Sequence, residues 1–212
     1  MQKDFEARST RTFRGLRAKG QRGNAIIELA LLGLPMVGML MGTVVVGLNV
    51  GRSIQTAQVN RDAGSMYVRG VDFSAPFNRN ILIRLCQGLG LANTGGRGVV
   101  YLSKITWIPA SKCVALGNPA GCNSNNHVIV QRLTIGDPSL RASSIGVPDN
   151  SLILTDGSVL NYFTDDSAIA TFPYMQLVEN EYAYVAETYF DSPDFDLPGF
   201  QENTGVYNIS VY

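Results

Sequence analysis

From Leu29 to Val50 the chain runs through 22 consecutive residues without a charge, dominated by Leu, Val, Met and Gly. As a helix, that length covers the ~30 Å hydrocarbon core of a bilayer. The flanks are unlike. Residues 1–23 carry seven basic side chains against Asp4 and Glu6, a net +5, so the neutrality of the 212-residue chain is an average over a basic start and a body of net −5. The C-terminal flank opens with the single Arg52, so the positive-inside rule puts the N-terminus in the cytoplasm and residues beyond about 50 outside. A cleavable secretory signal is the competing reading. Such a signal has an apolar region of ~7–15 residues and an A-x-A-like exit, and neither fits here.

The helix is expected to continue past the apolar run. In "RSIQTAQVNRDAGSMYVRG", Ile54, Ala57, Ala63, Met66 and Tyr67 recur near a 3.6-residue period, with Arg52, Gln55, Gln58, Arg61 and Asp62 on other faces. One helix from about Ala25 to about Arg69 results, with a bend or unwinding expected near residues 31–35 because Pro35 lacks an N–H. Glu28, at the start of the apolar run, stands out. A carboxylate at the bilayer centre costs roughly 2.5–3.5 kcal/mol, and less near the interface.

Gly23, then Asn24-Ala25-Ile26-Ile27, then Glu28 and an apolar helix resemble the type IV prepilin processing site. "IIELALLGLP" is similar to the "VEFALVLP" segment of TadE-like proteins, and "QTAQVNRDAGSMYVRG" to their "LQNAAREGARYA" segment. "EYAYVAETYFDSP" with "GVYNISVY" resembles the closing strands of that family. The patches cover the N-terminal third and the last ~35 residues. Leu29 departs from the aromatic residue of many relatives, and Asp62 and Gly64 match the charged and small positions loosely.

The resemblance implies a TadE-like minor pseudopilin of a tight-adherence pilus system. Prepilin peptidase would remove a leader of residues 1–23 by cutting after Gly23. Asn24 would then begin the mature chain, and Glu28 would pair with the new ammonium of a neighbouring subunit. It also implies a bacterial inner-membrane location with a periplasmic domain, and as partners the peptidase, other pilins or pseudopilins and the assembly machinery. The bare spacing has a second reading, in which an unprocessed signal anchor keeps a glutamate near the interface.

Residues 71–212 are expected to form an extracytoplasmic α+β domain with an antiparallel β-sheet. A short helix is predicted over about 77–89, from Ile81, Leu82, Leu85, Cys86 and Leu89. "GVVYLSKITWI" and "HVIVQRLTI" read as a long-looped hairpin, "EYAYVAETYF" as an alternating strand and "VYNISVY" as a strand closing the sheet beside it. Between residues 137 and 178, turns are expected with short strands around Ser151–Thr155 and Ala168–Phe172.

Cys113 and Cys122 flank "VALGNPAG", whose Gly, Asn and Pro suit a turn, so a disulfide there is the preferred pairing. It would contribute roughly 2–3 kcal/mol. Cys86 falls on the apolar face of the predicted helix and reads as a buried free thiol, with its two pairings left open. Three cysteines without C-x-x-C and a single histidine make a weak zinc set, so no metal is assigned.

His127 opens a strand without any nucleophile motif nearby, "GLGLANTGGRG" lacks the P-loop and dinucleotide spacings, and no catalytic residue or cofactor is assigned. Asp191, Asp194 and Asp196 depart from the EF-hand order and read as a solvated acidic loop, as do Asp165 and Asp166. An acidic body gives nucleic acid no clustered positive charge. Besides the pilus reading, two others stand: a pseudopilin-like component of type II secretion, and an unprocessed, signal-anchored periplasmic binding protein or enzyme. Gly33, Gly38, Gly42 and Gly47 either let neighbouring helices approach or reflect the frequency of glycine in membrane helices.

Overall fold

The computed structural model describes residues 21–191 and 205–212, with side chains from Ala25 onward. Helix α1 spans Gln21–Val68 and is helical throughout, including residues 31–35 and Pro35, so the unwinding expected there is not present. It ends where Gly70 takes a left-handed φ of 83°. The N–H groups of Gly70 and Val71 return to the carbonyls of Tyr67 and Met66, satisfying the last turn.

Helix α2 follows at Pro76–Leu85, with proline in its first turn, and a short 3-10 turn at Gln87–Leu89 completes the segment predicted as one helix. Then come strand β1 (Gly98–Ile108), helix α3 (Ala110–Ala115), strand β2 (Asn126–Gly136), strand β3 (Tyr182–Phe190) and strand β4 (Val206–Val211). The α+β expectation stands: one four-stranded antiparallel sheet has the order β2-β1-β3-β4. The expected strand at 151–155 is instead a 3-10 turn, Asn150–Leu152, with one bridge between Ile153 and Val159. That at 168–172 is a second turn, Asp166–Ala168, with one bridge between Ile169 and Val128. Both segments have β-rich residues but no regular partner strand to complete a ladder.

The alternation of the strands separates two buried layers. Val100, Leu102, Leu133, Ile135, Ala186 and Phe190 meet Val59, Ala63 and Tyr67 of α1, Leu82 of α2, and Phe73 and Cys86 on either side of α2. On the other face Ile105, Ile129, Ala183 and Val185 pack under the irregular chain carrying Ile145, Val159, Ala168, Ala170, Phe172 and Leu177. That chain also protects the outer edge of β2. Gly157 accepts from Arg132 N–H, Val159 donates to the Val130 carbonyl, and Ala170 donates to the His127 carbonyl.

Two compact units divide at Val46/Gly47, within α1. The reason is the buried stripe Thr56, Val59, Asn60, Ala63, Gly64 and Tyr67, which makes residues 56–67 part of the domain core. Ile54, predicted on the buried face, is exposed. Thr56 and Asn60 take its place because their polar atoms have partners. The Thr56 hydroxyl donates to the Arg52 carbonyl (2.9 Å), and the Asn60 amide, oriented to satisfy both ends, donates to the Ala186 carbonyl and accepts from the Ser210 hydroxyl.

Candidate functional site

Within residues 25–46 the helix side chains find nothing to pack on among the described residues. Ile26, Leu29, Leu31, Leu34, Met36 and Met39 are each about 70% exposed or more, and Glu28 is exposed among them. An added Cβ at Gly33, Gly38, Gly42 or Gly47 would meet no atom within 4 Å. A contiguous apolar surface of this size marks contact with lipid or with other helices. This is the one described helix long and apolar enough to cross a membrane. Gly23 and Asn24 lie in the first turns of α1, and residues 1–20 of the expected leader lie outside the described residues.

The domain carries a second concentration of chemistry, which sequence reading missed. On the sheet face away from α1, Ser103 of β1 pairs in register with Arg132 of β2, and Glu187 of β3 with Ile209 of β4. Arg132 and Glu187 are both buried, 3% and 0% exposed in their side chains, with Nη1 3.6 Å from Oε2. Glu187 Oε1 accepts from the Ser144 N–H (2.8 Å), the Ser144 hydroxyl (2.7 Å) and the Tyr207 hydroxyl (2.6 Å), and Oε2 accepts from the Ser143 hydroxyl. Arg132 donates from Nη2 to the Gly146 carbonyl and stacks 5.4 Å from the Tyr101 ring centroid. Burial lowers the guanidinium's pKa and Glu187 opposes that shift, and the group stays a cation. The pair thus ties residues 143–146 to the sheet. Its one legible signal was Glu187 itself, alternating with the apolar Ala183 and Val185.

The other predicted residues fall as follows. Cys113 and Cys122 form a disulfide with Cα atoms 6.1 Å apart, one leg of it in α3, and Cys86 is a buried free thiol whose pKa burial pushes up to about 12. His127 lies between Trp107 (centroids 4.9 Å) and Phe172 (5.3 Å), with Nε2 buried and unpartnered. Asp165 closes the turn at Asp166–Ala168 by accepting from the Ser167 N–H, a local structural role. Asp194 and Asp196 lie outside the described residues, among which no cluster of three or more His, Cys, Asp or Glu is placed to hold a metal.

Asp-x-Ser recurs as a turn device that sequence reading did not single out. Asp72, Asp137, Asp149 and Asp156 each accept from the serine two residues on, and those bonds lower their pKa values. Compared with known families, with curated proteins and with solved structures, the chain has no match.

Proposed function

We propose that this chain is a TadE-like minor pseudopilin, a membrane-anchored subunit that prepilin peptidase cuts after Gly23 and that takes part in assembling a tight-adherence pilus. The observation that carries the reading is the division of α1. Residues 56–67 are core of a folded domain, whereas the continuous apolar turns before Gly47 present exposed apolar side chains and, among the described residues, one carboxylate. A helix of this kind is a tether at one end and an adhesive surface at the other. Lipid satisfies the surface before assembly, and neighbouring α1 helices satisfy it afterwards, with Gly33, Gly38 and Gly42 allowing close approach. Glu28 sets the register, because a carboxylate in that environment is stabilised only where a neighbour's Asn24 ammonium meets it. The domain lies in the periplasm, given the basic residues ahead of Gly23. With no matching relative, the family resemblance rests on the residues themselves.

The test is the N-terminal residue and intact mass of the protein isolated from its own membrane, with and without prepilin peptidase. A peptidase-dependent start at Asn24 is expected, and a retained Met1 sinks the reading. Gly23→Ala is expected to block cutting. Glu28→Ala is expected to be cut normally yet to lose co-purification with other pilus subunits.

A further inference from the structure

Beside the buried ion pair a cavity of about 200 Å³ opens between the sheet and the segment that covers it. Its wall includes Arg132, Tyr101, Thr134, Val147, Pro148 and Ile153. The donor accounting around Arg132 is incomplete. A guanidinium has five N–H groups, yet among the described residues the only hydrogen bond it makes is from Nη2 to Gly146, and Nε and Nη1 are buried with no hydrogen-bond partner there. Glu187 does not make up the deficit. Three neutral donors converge on Oε1 and one on Oε2, and the Oε2 that faces Arg132 stands 3.6 Å from Nη1, too far for a hydrogen bond.

We infer that this cavity is a binding site for a small aliphatic monocarboxylate, whose carboxylate accepts from Arg132 and whose hydrocarbon body lies against Val147, Pro148 and Ile153. A guanidinium recognises a carboxylate through parallel N–H donors, and a desolvated one binds it more strongly than an exposed one. The apolar part of the wall favours a carboxylate with a hydrocarbon body over inorganic phosphate, which has no apolar part to lie against Val147, Pro148 and Ile153. The volume, below the ~300–1,000 Å³ of sites for drug-sized ligands, sets the scale of the molecule. Arg132 lies beneath residues 142–148, so a ligand reaches it with a small outward shift of that segment. Val147, 61% exposed, stands at the rim. The inference is independent of the pilus reading.

The experiment uses the full chain in bilayer nanodiscs, titrated with sodium butyrate, butyramide and inorganic phosphate at matched ionic strength, with the unfolding midpoint and heat of binding as readouts. Truncating Arg132 would threaten folding, so the site is filled from its edge by Ala142→Trp and, separately, Val147→Trp, both at exposed positions lining the cavity. Expected is a saturable rise of the midpoint with butyrate alone, lost in both tryptophan variants while their own midpoints stay at the wild-type value. No butyrate effect overturns the inference. So does an equal effect of butyramide or phosphate, or a butyrate effect that persists in both filled variants.

Discussion

Glu187 is held by two serine hydroxyls, a backbone N–H, a tyrosine hydroxyl and a buried cation, and its removal tests whether that network stabilises the domain. Glu187→Ala leaves Arg132 charged and desolvated, which is expected to cost about 3–5 kcal/mol in urea unfolding. Arg132→Met combined with Glu187→Leu removes both charges and is expected to recover most of that loss. A single substitution costing under about 1 kcal/mol would show the pair to be solvated. His127 gives a pH dependence of definite sign. Burial lowers its pKa in the folded state, so below the ordinary value near 6.5 the unfolded chain binds a proton that the folded chain refuses. Stability is therefore full above about pH 6.5 and falls as the solution is acidified. His127→Phe, seated between the same Trp107 and Phe172 rings, is expected to flatten this dependence, and an unchanged slope would assign it to other groups.

At the scale of elements, α1 changes character along its length. Up to Ile54 its large apolar residues face outward, and from Thr56 a stripe of small and polar residues joins Val59 and Tyr67 in packing on the sheet. The sequence showed the helix, its length and its apolar run, because those depend on local composition. It did not show that Asn60 and Gly64 belong to the contact face, because their burial depends on Ser210, Ala186 and Tyr212, about 120 to 150 residues away. The hairpin was legible from its β-branched and aromatic content, β3 from alternation and β4 from the likeness of the tail to closing strands. Residues 137–178 were legible only as turns, since what fixes them is the network on Glu187 and the edge of β2. A chain starting at Gly47 is expected to fold with an unfolding midpoint close to that of the full chain. One starting after Val68 is expected to lose its cooperative transition, as seen by circular dichroism, because Val59, Ala63 and Tyr67 go with the deletion.

Over the whole molecule, the strongest sequence signals were the apolar run and the paired cysteines, and the least visible was the Arg132 site, assembled from β1, β2, β3, β4 and a loop. One arrangement in the domain bears on how it responds to load. Residues 52–64 of α1 run alongside β4 in the same direction: Arg52 and Thr56 share a cavity wall with Val206, Asn60 meets Ser210, and the Arg61 carbonyl accepts from the Tyr212 hydroxyl. Tension applied through the helix at Arg52 therefore acts along β4 rather than across it. The contacts of α1 with Val206, Ser210 and Tyr212 are then strained together in shear instead of parting one after another, and pulling on the helix is expected to need a higher rupture force than peeling β4 from its end.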